Sequence, residues 1–175
     1  CEIPGCDTRG IFKTLNMDLR QFKRLKMFVH GEDLSNTKTI KPGDLTVFIR
    51  MGSDFTNNYY EYEIPLVISD TSQIPANVSP DNEIYKKIVW PDGNIFDFPL
   101  DLLVDVKVKR NADPSLLPVN PFAIPDPLNP SHNVTIVGNP NLGYVKGIML
   151  GVRNKNDKNG VPDLNGRCVE VWFNE

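Results

Sequence analysis

The sequence predicts a mainly β protein: an antiparallel β-sandwich of jelly-roll type with one or two short helices and a long proline-rich crossover. Two observations carry that expectation. Short apolar runs alternate with a period of two, as half-buried strands do. Fifteen prolines and twelve glycines cluster between those runs, where irregular loops join strands and where a helical bundle would have neither residue in such number.

Taken in order, the first strong strand is residues 24–30, where Leu25, Met27 and Val29 share one face and His30 ends the other. Lys41-Pro42-Gly43-Asp44 is a turn signal. A second strand follows at 45–50, with Leu45, Val47 and Ile49 opposed to Thr46, Phe48 and Arg50. A third runs over 59–64, with Tyr60, Tyr62 and Ile64 opposed to Tyr59, Glu61 and Glu63. Together these three predict an antiparallel meander. Residues 69–81 hold Pro75 and Pro80 among small polar residues and read as a loop. Residues 84–90 lead into Pro91-Asp92-Gly93-Asn94, a turn with Gly93 supplying a positive φ.

Residues 100–109 fit two patterns. Leu100, Leu103, Val104 and Val108 suit a helical face, and Val104, Val106 and Val108 suit a strand. Pro99, just inside a helix start, favours the helix. Between residues 113 and 130 there are six prolines in eighteen residues, which predicts an irregular crossover anchored by Leu116, Leu117, Phe122, Ile124 and Leu128. Strands follow at 133–137 and 144–152, then a polar loop at 154–166, then a last strand from Cys168. The expected total is about six or seven strands.

At 175 residues the chain has the length of one domain, 1–175, able to bury a single core. It opens on Cys1 and closes on an apparent strand, which predicts a fragment of a much longer chain. The net charge is −3, and the 19 lysines and arginines are dispersed, a distribution that argues against nucleic acid. No stretch reaches the ~18 apolar residues of a membrane-spanning helix, and no secretory leader opens the chain; a soluble segment is expected. An odd cysteine count (Cys1, Cys6, Cys168) leaves open a bridge from Cys1 or Cys6 to Cys168. The thiols lack the further ligands of a zinc site.

Catalytic raw material is scarce. His30 and His132, the only two histidines, have no Ser or Cys beside them in a nucleophile setting and read as rim or hydrogen-bonded histidines. Glu61 and Glu63 lie about 7 Å apart on one strand face, within the broad range of glycosidase carboxylate pairs. That spacing is common to any polar strand face, and no catalytic, cofactor or metal residue is expected. Residues 156–166 alternate oxygen ligands around Gly160 as a calcium loop does. An Asn159-Gly160 hairpin turn with solvated polar flanks is the favoured explanation. Tyr59, Tyr60, Tyr62, Trp90 and Trp172 could form a sugar-stacking platform, although aromatics in a sandwich usually fill core and rim. The triplets at Asn77 and Asn133 match the N-glycosylation pattern and add little.

Three stretches carry a resemblance. One runs from Asp18-Leu19-Arg20-Gln21-Phe22 through Phe28-Val29-His30-Gly31-Glu32, Gly43-Asp44-Leu45 and Met51-Gly52-Ser53-Asp54 to Asn57-Asn58-Tyr59-Tyr60-Glu61-Tyr62-Glu63-Ile64-Pro65-Leu66. Another holds Val89-Trp90-Pro91, Pro99-Leu100 and Lys109-Arg110-Asn111. The last is Ile148-Met149-Leu150-Gly151-Val152-Arg153-Asn154 with Val169-Glu170-Val171-Trp172-Phe173-Asn174-Glu175. In this order they resemble the SprA/Sov family of gliding-motility cell-surface proteins, the outer-membrane translocons of type IX secretion in Bacteroidetes. The resemblance implies one non-catalytic structural or interaction segment of a far longer chain at the outer membrane or cell surface. Its partners would be other segments of the parent chain, secretion-system subunits or cargo proteins. It favours the helical reading of 100–109 and brings no catalytic residues. The loop 154–166 is longer than the family pattern suggests. A carbohydrate-binding jelly roll, with or without calcium and with a glycan as partner, is the alternative.

Overall fold

A computed structural model of the chain describes residues 8–34, 40–154 and 168–174. The described residues form nine strands: β1 (Thr8–Met17), β2 (Arg24–Asp33), β3 (Leu45–Gly52), β4 (Tyr59–Pro65), β5 (Ile95–Pro99), β6 (Phe122–Pro125), β7 (Asn133–Val137), β8 (Val145–Asn154) and β9 (Val169–Asn174). Two helices, α1 (Glu83–Val89) and α2 (Asp101–Asn111), lie between β4 and β6. The strands form a six-stranded sheet in the order β1-β8-β3-β4-β7-β6 and a three-stranded sheet in the order β5-β2-β9. Every named pair is antiparallel, and the larger sheet does not close into a barrel.

The two sheets share one core. Val47, Ile49, Met51, Tyr60, Tyr62 and Ile64 from the large sheet meet Val29, Phe96 and Phe98 from the small one in a single buried cluster. Alternation explains which residues point inward: Tyr60, Tyr62 and Ile64 occupy one face of β4 as their spacing predicts. Tyr62 lies flat on Phe98, with ring centroids 3.9 Å apart and planes 8° apart, and this stack joins the layers. Such offset aromatic pairs add about 0.5–1.5 kcal/mol beyond the area they bury.

Several expectations change. The meander is only half formed: β3 and β4 pair over seven residues, but β2 crosses to the small sheet, where β5 and β9 flank it. Its apolar residues serve the core equally well in either sheet, so alternation cannot assign its neighbours. Gly43 has a positive φ of 91° in the predicted turn, but Gly93 is not among the positive-φ glycines; Gly138, with φ 68°, is. Instead, Asp92–Asn94 form a short 3-10 turn that leads into β5. The proline-rich crossover, expected to be irregular, contains β6, which follows Pro121 and ends on Pro125. An edge position tolerates those prolines because only one side of the strand needs ladder hydrogen bonds.

Residues 84–89 fall in α1, with Trp90 as its C-cap, and the Asn82 side chain caps the start by accepting from the Ile84 N–H. The helix expected over 100–109 forms as α2, with a different buried face. Leu102, Leu103, Val106 and Arg110 turn inward, while Val104 and Val108 are exposed. Arg110 sets this rotation. Its guanidinium donates to the Gly138 carbonyl at 2.6 Å, and Lys107 on the same side donates to the Pro140 carbonyl at 2.8 Å. Both cations sit in the C-terminal half of the helix, where the macrodipole favours positive charge.

Cys168 is disulfide-bonded. The partners weighed for it, Cys1 and Cys6, lie outside the described residues. The loop weighed for calcium, 156–166, also lies outside them. No helix among the described residues is long and apolar enough to cross a membrane.

Candidate functional site

The described residues hold two polar clusters, both centred on β4, because that strand is covered on its two faces. On the core face, Tyr62 reaches a loop of the proline-rich crossover. Its hydroxyl donates to Asp126 Oδ2 at 2.5 Å and lies 2.9 Å from His132 Nδ1. His132 Nε2 is 2.9 Å from Asn129 Nδ2. With the tyrosine proton on Asp126, His132 must donate from Nδ1 and accept at Nε2. The ring is therefore the neutral Nδ1–H tautomer, and the donors run in series towards the Asp126 carboxylate. The loop closes on itself through the Asp126 N–H to the His132 carbonyl and the His132 N–H to the Asn129 carbonyl.

Burial governs the ionisation of this cluster. Desolvation pushes the Tyr62 hydroxyl well above its ordinary range, and the Asp126 hydrogen bond adds to the shift. Desolvation also lowers the His132 pKa, against an opposing pull from the Asp126 charge. The residues are a pin. No side chain is left over as a nucleophile or a base, and the arrangement fastens the crossover to the core.

On the opposite face of β4, Glu61 and Glu63 meet two arginines. Arg50 donates from Nε at 2.8 Å and from Nη2 at 2.6 Å to Glu61 Oε2. Arg153 reaches Glu61 Oε1 at 3.0 Å and Glu63 Oε1 at 2.9 Å, and Thr46 donates to Glu63. Register brings them together: Arg50 pairs with Glu61 across β3 and β4, and Thr46 pairs with Arg153 across β3 and β8. Phe48 lies beneath, with the Arg153 and Arg50 guanidinium carbons 4.8 and 5.4 Å from its ring centroid, and Arg50 also covers Tyr59 at 4.0 Å. Space for the Phe48 ring comes from Gly151 opposite, where a Cβ would stand 2.3 Å from Phe48 Cζ. Both oxygens of Glu61 are engaged by guanidinium groups, so the pair weighed as glycosidase carboxylates is an ion-pair network.

The remaining candidates separate. His30 donates from Nδ1 to the Val89 carbonyl at 2.7 Å, joined there by Ser69 Oγ at 2.9 Å; both groups satisfy the C-terminal end of α1. Tyr59, Tyr60 and Tyr62 are buried, so they form no sugar platform. Burial pushes the Tyr60 hydroxyl up to about 12, offset in part by Arg110, and it donates to the Pro140 carbonyl. Trp90 packs edge-on near Phe28 and tilted near His30, and Trp172 is exposed on β9. No group of three or more His, Cys, Asp or Glu side chains among the described residues is placed to hold a metal.

Sequence reading missed Asp126, Arg50, Arg110 and Arg153 as partners, because each acts through residues distant in the chain. It also missed β1 and β5. Phe96, Asp97 and Phe98 alternate and signalled β5, whereas adjacent Ile11 and Phe12 gave β1 no period.

The fold and its closed polar clusters define a two-sheet antiparallel β module whose buried polar groups are structural. Over residues 3–175 the chain matches the family model SprA_N, described as motility related/secretion protein, and belongs to that family. Membership associates the chain with motility and secretion. No curated protein matches the sequence.

Proposed function

We propose that this chain is a structural and interaction domain of an outer-membrane protein-secretion translocon of the type IX, gliding-motility kind. One observation carries the reading: the motility and secretion family covers residues 3–175. In this reading residues 1–175 are one domain of a longer polypeptide at the outer membrane or cell surface. One contiguous buried cluster drawn from both sheets supports a single domain. Consecutive strands β1, β2 and β3 alternate between the sheets, which supports a jelly-roll relative.

The domain acts by shape. It keeps β3, β4 and the small sheet for its own core and lends other surfaces to the parent chain, accessory subunits or cargo. A glycan-binding role has less to stand on, since its three tyrosines are buried. Affinity capture of the intact protein tests the proposal: secretion subunits or cargo are expected to be retained and to be lost when this segment is deleted. Capture unchanged by the deletion refutes it.

A further inference from the structure

We propose that the outer face of the small sheet, around Trp172 on β9, binds an arginine side chain presented by a partner polypeptide. This rests on the interaction-domain reading and names the surface and the partner chemistry.

Four residues of β2 and β9 form the place. Register sets His30 opposite Trp172 and Glu32 opposite Glu170. Alternation puts all four on the side turned away from the core, where Val171 and Phe173 pack instead. Trp172 is 59% exposed and Glu170 is exposed, whereas His30 is only 8% exposed, with Trp90 beside it at 5.7 Å. Because His30 Nδ1 gives its proton to the Val89 carbonyl, Nε2 of the neutral ring is an acceptor. That atom faces Glu32 Oε2 at 3.8 Å. Two acceptors therefore confront each other across the strand from an exposed indole, and an N–H donor set between them would satisfy both. The Glu32 side chain is 39% exposed, so a ligand can reach it from solvent.

Charge specifies the occupant. Towards β5 the same face is balanced: Lys26 stands opposite Asp97, and Asp97 also accepts from Arg24. Towards β9 it is not. Glu32 and Glu170 stand directly opposite each other, an arrangement that repels across strands, and neither meets a lysine or arginine among the described residues. A cation seated between them replaces that repulsion with two charge-assisted contacts. His30, Glu32 and Glu170 do not converge as metal ligands, which leaves an N–H cation. Arginine fits better than lysine, because its planar fork donates to two acceptors at once while its face lies on an indole.

The test uses the intact protein and three fluorescent glycine-serine peptides. One carries arginine, one carries lysine in its place, and one carries citrulline, which keeps the shape of arginine without its charge. The arginine peptide is expected to bind, the lysine peptide more weakly and the citrulline peptide not at all. Trp172→Ala and Glu170→Gln should each weaken the arginine peptide about tenfold, whereas Asp105→Asn on α2 should leave it unchanged. All three positions are exposed, and a far-ultraviolet circular dichroism spectrum checks that each variant stays folded. Failure of the arginine peptide to bind would overturn the proposal, as would lysine or citrulline binding as well as arginine, or indifference to Trp172→Ala or Glu170→Gln. An equal loss from Asp105→Asn would also overturn it, by showing attraction to overall charge. If the peptides fail and cellohexaose binds in a Trp172-dependent way, the face belongs to a glycan and the arginine assignment falls. If the peptides fail while affinity capture still depends on this segment, only the arginine assignment falls. If capture does not depend on it while the arginine peptide binds as expected, the translocon reading falls and the arginine assignment stands.

Discussion

Strand β4 is covered on both faces, whereas β1, three places away in the same sheet, is exposed along most of its length, with Leu15 packed against the core and Phe12 against Phe55. On β4 even the acids are buried, with Glu61 and Glu63 held by Arg50 and Arg153. On β1 even the large apolar residues face solvent. One strand organises the interior and the other offers a surface. Closed polar clusters fix the shape of the domain, and β1 pairs only with β8 among the described strands.

The largest expected effect comes from breaking the covered side. Glu61→Ala leaves half-buried Arg50 and Arg153 without their shared carboxylate, and loss of one partner from a buried pair costs up to about 3–5 kcal/mol. Urea unfolding of the variant against the parent measures it. A loss under about 1 kcal/mol would mean the network is solvated like a surface pair.

Gly151→Ala comes next. Its Cβ would collide with Phe48 Cζ and stand 2.8 Å from the Arg9 carbonyl. Overpacking of this kind costs about 1–3 kcal/mol. Combined with Phe48→Ala, which removes the colliding ring, the double variant should lose less stability than the two single losses added together.

A smaller effect follows from pH. His132 is neutral when buried, and its pKa is lowered on folding. The unfolded chain therefore binds the proton first. The contribution of this group is fully present above the ordinary imidazole value near 6.5 and is lost as pH falls through and below it. Protonation would also set an N–H at Nε2 against the Asn129 amide nitrogen. Thermal unfolding should show a lower midpoint at pH 5 than at pH 7.5, with the difference reduced in His132→Gln. An unchanged difference would remove His132 as its source.

The smallest effect lies on β1. Ile11→Thr should change stability by about 0.5 kcal/mol or less, as exposed substitutions do. A larger loss would show that Ile11 already has a covering partner within the chain.

The same contrast explains what was legible in the sequence. Strands β3 and β4 alternate because one face of each is in the core, and α2 was indicated by Pro99 and its apolar spacing. β1 was invisible for a physical reason: nearly all of it is exposed, so it has almost no burial pattern to display. The place of β2 was hidden because alternation specifies a face and not a neighbour. Of the polar clusters, the sequence displayed Tyr62, His132, Glu61 and Glu63 as isolated candidates. What turned them from chemistry into structure was Asp126, Arg50 and Arg153, brought in by register and by the crossover. Their separations in the chain reach 64 residues for Tyr62 to Asp126 and 92 for Arg153 to Glu61, beyond any local motif.

Cross-linking with mass spectrometry on intact cells tests the central claim most directly. A photoreactive residue at position 12 on β1 and another at position 104 on the exposed face of α2 would sample two surfaces of the domain. The account predicts cross-links to other segments of the parent chain, to secretion subunits or to cargo. An absence of cross-links from both positions, in cells where the protein is present and folded, would contradict it.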